Sequence, residues 1–169
     1  MLSDLLTWSI LQIDGQTQSA ETIDLNALVS ENFKLISRHA ELKNNQLIND
    51  IDKTHYAKAN PTVLNLILRN LISNAVKFTD GGRIVVSART QELNTSIDVT
   101  DTGVGMDREE IDKLFKWEER KTSMGTRSEK GSGIGLLISK DFIEKFGGSL
   151  KVTSEKNRGT TFSLVLPQC

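Results

Sequence analysis

Between Asn60 and Phe78 the sequence writes one uninterrupted helix with two unlike faces. Asn60-Pro61-Thr62 supplies a capping residue and a proline at the first turn, where a missing N–H costs nothing. Leu64, Leu68, Leu71, Ile72, Ala75 and Val76 fall on one side, and Asn70, Asn74 and Lys77 on the other. At about 100° per residue, the i, i+4, i+7 spacing confines those three polar side chains to about 60° of arc. Such a helix buries one face against another layer and leaves a polar stripe, which restricts the chain to layered architectures. Asparagine inside a helix costs about half a kcal/mol against alanine, so two stacked ones call for a reason. One reason is a solvated stripe. The other is an anion and metal site, because an amide oxygen is a hard ligand of the kind Mg²⁺ accepts and a lysine can meet phosphate.

The rest of the chain alternates helix and strand patterns. Leu2, Leu5, Leu6, Ile10 and Ile13 carry helical spacing over residues 1–14, and a short strand at 22–25 precedes a helix over 26–42. Residues 46–52 alternate as a strand, and after the long helix Asp80-Gly81-Gly82 turns the chain into a hairpin of strands 83–89 and 96–101. A short helix at 108–115, an irregular stretch at 116–132 and a helix over 133–146, stopped by Gly147-Gly148, follow. Strands at 149–153 and 160–166 close the chain. This order predicts a mix of helices and strands, α+β in class, with helices on one face of a partly antiparallel sheet.

Composition excludes several classes. At 37% apolar and 25% charged residues, the 169-residue chain can build one well-buried core. Lys plus Arg number 21 against 22 for Asp plus Glu, so no basic excess advertises a nucleic-acid groove. No apolar run approaches the ~20 residues that span a bilayer, and the single cysteine, Cys169, makes no internal disulfide. These traits predict a cytoplasmic domain that itself touches neither nucleic acid nor membrane.

Two further constellations carry chemistry. Asp101-Thr102-Gly103-Val104-Gly105 ends a strand: its carboxylate can accept from an exocyclic amine, and its glycines allow close backbone approach or positive φ. An ordinary glycine-rich turn is the plainer reading. Gly131-Ser132-Gly133-Ile134-Gly135-Leu136 opens a helix whose backbone amides form an anion site. Its G-x-G-x-G spacing is not the dinucleotide fingerprint, and the chain has neither a P-loop nor the H-R-D and D-F-G motifs of eukaryotic kinases.

Taken in order, these segments resemble the catalytic domain of sensor histidine kinases, in the gyrase, chaperone and mismatch-repair ATPase superfamily. Residues 70–78 look like the N box, 101–105 the G1 box, Leu114-Phe115 the F box, 131–136 the G2 box and 159–162 the final glycine-threonine motif. The resemblance implies an ATP-binding α/β sandwich with a mobile lid over 106–130. It implies ATP and Mg²⁺ as cofactors, with Asn74 on the metal and Asn70 and Lys77 on phosphates. Asp101 would bind the adenine amine, Gly103 and Gly105 would lie beneath the base, and Thr161 would support the adenine pocket. Gly131, Gly133, Gly135 and Leu136 would lie along the triphosphate, and Arg120 in the lid would reach its terminal phosphate.

The sequence departs from that pattern in two places. Glu118 stands where a second F-box phenylalanine is usual, with Trp117 beside it. No phosphoacceptor pattern surrounds His39 or His55, both of which read as surface residues. The resemblance therefore implies half an enzyme, which donates the γ-phosphate to a histidine on a separate dimerisation domain for relay to a response-regulator receiver domain. Residues 1–20 read as the end of a dimerisation helix, with 21–169 as the catalytic domain of a homodimeric, in some cases membrane-anchored, parent. Three other readings stand beside it: a hydrolysing ATPase of the gyrase or mismatch-repair kind, a protein-serine kinase of the anti-sigma type, and a nucleotide sensor that transfers nothing. Against the first, Leu66 and Asn70 occupy the turns where such ATPases place a water-activating glutamate.

Overall fold

The computed structural model describes residues 20–91, 94–116, 124–127, 129 and 134–167. Strand β1 (Glu21–Asp24) leads into α1 (Leu25–Leu42), which Asp24 caps by accepting from the Ala27 N–H at 2.9 Å. Strands β2 (Gln46–Asp50) and β3 (Tyr56–Ala59) precede α2 (Pro61–Phe78), capped by Asn60 through Val63 N–H at 3.1 Å. The hairpin β4 (Arg83–Gln91) and β5 (Asn94–Asp101) is followed by the short α3 (Arg108–Lys113). Helix α4 (Gly135–Lys145) and the pair β6 (Ser149–Glu155) and β7 (Gly159–Pro167) complete the described chain.

The main sheet has the order β2-β4-β5-β7-β6, with β2 and β4 parallel and every other pair antiparallel. Period two divides its faces. Ile84, Val86, Ile97, Val99, Phe162 and Leu164 are buried on one face, while Ser96, Asp98, Thr100, Thr161 and Ser163 occupy the other. The apolar face meets Val63, Leu64, Ile67, Leu68, Leu71 and Ile72 of α2, together with Phe142 and Ile143 of α4. Each such side chain contributes roughly 1.5–3 kcal/mol on burial, so α2 is pinned with its Asn70-Asn74-Lys77 stripe turned away from the core. The fold is the mixed, one-side-covered α+β sandwich that the sequence predicts.

Three local expectations change. Tyr56–Ala59 is a strand, paired with β1 in a two-stranded ribbon, although its four residues carry almost no alternation. Strand β2 stops at Asp50 because Ile51 turns inward to the core before the Asp52–His55 turn. His55 is half-buried with Nδ1 lacking a partner, not a surface residue, whereas His39 is exposed as expected. The helical stripe over 1–14 lies outside the described residues. Among the described residues, no helix is long and apolar enough to cross a membrane.

Candidate functional site

The C-terminal end of α2 is the meeting point of four segments. Its last carbonyls, which no helical N–H can reach, are taken by groups from elsewhere. Asn45 Nδ2 donates to the carbonyl of Thr79 at 2.8 Å, Lys43 Nζ to that of Lys77 at 2.6 Å, and the Val104 N–H to that of Phe78 at 3.1 Å. Thr126 adds its N–H and hydroxyl to the Lys77 carbonyl at 3.1 and 3.2 Å. One helix end thus holds the turn after β5, the segment after α1 and residues 124–127 together.

Asn70, Asn74 and Lys77 line this end of α2 as their spacing predicts. Asn70 Nδ2 donates to Ser139 Oγ of α4 at 3.0 Å. Asn74 is half-buried, and its side-chain amide is engaged by no described residue. The Lys77 ammonium stands 4.6 Å above the Phe78 ring centroid. Burial pulls its pKa down and the neighbouring Lys43 charge adds to that, while Glu129 opposes them.

Asp101 closes β5 on the same side. It is 5% exposed, and its Oδ1 accepts the Gly103 N–H at 2.8 Å. Burial pushes its carboxyl above the ordinary carboxylate range, and the backbone donors of Gly103 and Thr160 and the Thr79 hydroxyl only partly offset this. The glycines beside it answer to sterics. A Cβ on Gly103 would stand 2.2 Å from the Phe78 carbonyl oxygen, and one on Gly105, at φ +59°, 1.9 Å from that of Glu155. The Thr79 hydroxyl is buried, borders Gly103 and faces the Asp101 carboxyl.

One assignment is corrected. Thr161 lies on the outer face of the sheet, its hydroxyl 3.0 Å from that of Thr100. Thr160 is the residue paired with Asp101 across β5 and β7, 8% exposed, with its hydroxyl 2.8 Å from Ser154 Oγ. The parity of Phe162, Leu164 and Leu166 already marked even positions as inward. Gly135 sits where α4 crosses α2 and Leu136 packs on the core's edge. Arg120, Gly131 and Gly133 lie outside the described residues, as do Trp117 and Glu118. The N-terminal part of the expected lid is regular structure: α3 carries a capping box of Asp107 and Glu110, and Glu110 accepts from Lys156 at 2.8 Å. Sequence reasoning missed Thr79 and Lys43, since nothing in the local pattern announces that either is buried.

The chain is similar to known proteins. The chain is 44% identical over 110 residues to the autoinducer 2 sensor kinase/phosphatase LuxQ of Vibrio vulnificus, a match that covers 62% of this chain and 13% of LuxQ. It therefore spans only a small part of such a relative. The full-length ShkA structure in complex with AMPPNP superposes with a TM-score of 0.79 at 25% identity, covering 97% of this chain and 34% of that one. The catalytic domain of the histidine kinase ThkA shares the fold, with a TM-score of 0.76 at 23% identity over 89% of this chain and 97% of that one. ThkA also appears in complex with the response regulator TrrA, at a TM-score of 0.74 and 22% identity, covering 99% of this chain and 48% of that one. Residues 59–169 match the model for histidine kinase-, DNA gyrase B- and HSP90-like ATPases, and the chain belongs to that family.

Proposed function

We propose that this chain is the ATP-binding catalytic part of a two-component sensor histidine kinase, presenting the γ-phosphate of ATP to a histidine on a dimerisation domain. The observation that carries the reading is that the end of α2, which bears the Asn70-Asn74-Lys77 stripe, is tied through the Phe78 carbonyl to the turn whose Gly103 N–H the buried Asp101 carboxylate holds. The buried Thr79 hydroxyl lies at the same place. The kinship with LuxQ and the AMPPNP held by ShkA support it.

In this reading Asp101 accepts a hydrogen bond from the adenine amine, with Gly103 and Gly105 letting the turn beneath the base pack against the Phe78 and Glu155 carbonyls and Thr160 and Thr79 completing the polar wall. Asn70 and Lys77 meet phosphate oxygens, as do the amides opening α4 near Gly131, Gly133 and Gly135, and Arg120 reaches the terminal phosphate. The unengaged Asn74 amide fits Mg²⁺. An amide oxygen is a hard donor of the kind Mg²⁺ accepts beside phosphate oxygens and water. Held by Asn74, Mg²⁺ would offset triphosphate charge. The protein's own contribution is positioning and fixed charge, which supply most of the effect in phosphoryl transfer.

The partners in this reading are the chain's own dimerisation domain, with residues 1–20 as the end of its helix, and a response-regulator receiver domain, as ThkA has in TrrA. The parent is a homodimer working in the cytosol. Incubation with γ-labelled ATP, Mg²⁺ and the parent's dimerisation segment tests it. Acid-labile phosphate on a histidine is expected. Acid-stable phosphate on a serine, or release of inorganic phosphate alone, would overturn it.

A further inference from the structure

We infer that Lys43 is a positioning residue for nucleotide binding, holding residues 124–127 and Glu129 against the end of α2; the inference rests on the nucleotide reading above. Lys43 follows α1, where a lysine ordinarily reaches into water, yet its side chain is 5% exposed. Its Nζ donates to the Lys77 carbonyl at 2.6 Å and to Glu129 Oε1 at 2.8 Å. One buried cation therefore joins the backbone of the phosphate-facing lysine to a carboxylate 86 residues further along the chain.

The segment it grips is shaped to be gripped. Glu129 Oε2 accepts the Arg127 N–H at 2.8 Å, and the Glu129 carbonyl accepts the Gly125 N–H at 3.0 Å, which closes a small loop on itself. Thr126 then donates twice to the carbonyl that Lys43 already holds. A Cβ on Gly125 would stand 2.6 Å from Lys77 Cγ and 2.4 Å from Glu129 Oε2, so the loop backbone lies directly along the stem of Lys77. Outside, Arg127 grips Asp80 through two bonds at 2.8 and 2.9 Å and the Leu42 carbonyl at 2.5 Å. Both ends of this outer pair are exposed and screened, whereas the inner pair is buried at its Lys43 end.

The charges are arranged for the same end. Glu129, paired with Lys43 at 2.8 Å, opposes the fall in the Lys77 pKa that burial and the neighbouring Lys43 charge cause. With the loop held in advance, nucleotide does not have to order it on binding, and bound nucleotide leaves more slowly.

The test uses Lys43→Met, Glu129→Gln, their double variant, Lys43→Arg and Asp80→Asn. Two quantities are read: release of a fluorescent ATP analogue in Mg²⁺, and amide hydrogen exchange at Gly125 and Thr126 without nucleotide. Each of Lys43→Met and Glu129→Gln is expected to speed both by about tenfold, with the double variant no worse than the worse single one. Lys43→Arg should recover part of the loss, and Asp80→Asn should change release by less than about threefold. Wild-type release in both single variants, or effects that multiply in the double variant, would overturn the inference while leaving the nucleotide reading intact. Failure of the wild-type chain to bind the analogue would overturn both. Should Lys43→Met not fold, Glu129→Gln keeps an acceptor for Lys43 and decides the matter alone.

Discussion

Gly135 and Asn70 meet where α4 crosses α2: a Cβ on Gly135 would stand 2.3 Å from Asn70 Oδ1. The helix can begin there only because position 135 has no side chain, and Asn70 is held in turn by Ser139 one turn further along α4. Gly135→Ala should therefore act on Asn70 more than on the fold. Alanine gains about 1 kcal/mol over glycine in a helix, which offsets much of the crowding, so the melting temperature should move by only about 3 °C. The displaced amide should lower ATP affinity by about tenfold, measured by calorimetry. Unchanged affinity would remove Asn70 from the phosphate site.

Thr160 and Thr161 differ by one residue and one sheet face. Thr160→Val removes a hydroxyl beside Asp101 and should weaken ATP binding severalfold, while Thr161→Val, on the far face with Thr100, should leave affinity within error. Parallel titrations decide it, and the opposite ranking would place the adenine pocket elsewhere.

Gly159 sits at φ +103° with its absent Cβ 1.9 Å from the Asp101 carbonyl oxygen. Backbone strain of about 1–3 kcal/mol and a clash with backbone, which cannot rotate away, add together. Gly159→Ala should cost at least about 3 kcal/mol in urea denaturation. A loss below 1 kcal/mol would contradict the packing of the β6–β7 hairpin against β5.

Two carboxylates predict opposite acid responses. Asp101 titrates above its ordinary 3.8 because it is buried. The folded state thus holds that proton more tightly, and the group's contribution to stability, present at low pH, is lost as pH rises through the window above 3.8. Asp101→Asn removes this, so its stability relative to wild type should climb over that window. Glu129 behaves in reverse. Burial pushes its carboxyl up, but the hydrogen bond from Lys43, two backbone donors and the Lys43 charge bring it from 4.5 to about 2. Its contribution is present above 4.5 and lost as pH falls toward 2, and Glu129→Gln should abolish that acid dependence. Melting curves of the three proteins between pH 2 and 7 check both signs. ATP affinity of the wild type should also fall as Asp101 becomes protonated.

Much of this was legible in the sequence because local chemistry and tertiary context agree. The Asn60-Pro61 cap, the two-faced pattern of α2 and the parity of β4, β5 and β7 each state the buried side directly. What escaped reading depends on distant contacts. Lys43 is buried only because Glu129 and the Lys77 carbonyl arrive from elsewhere, and Tyr56–Ala59 is a strand only because β1 lies beside it. That Thr160 rather than Thr161 faces inward follows from the parity of β7, since a one-residue step along a strand exchanges the faces.

The central claim is tested most directly by isothermal titration of ATP and Mg²⁺ into the wild-type chain and Asp101→Asn. The asparagine keeps an acceptor for the Gly103 N–H and removes a costly buried charge, so the fold should persist with an unchanged or higher melting temperature. At the adenine amine it offers one carbonyl oxygen and an opposing NH₂, so binding should be lost from calorimetric range. Wild-type affinity in a well-folded Asp101→Asn would contradict the account.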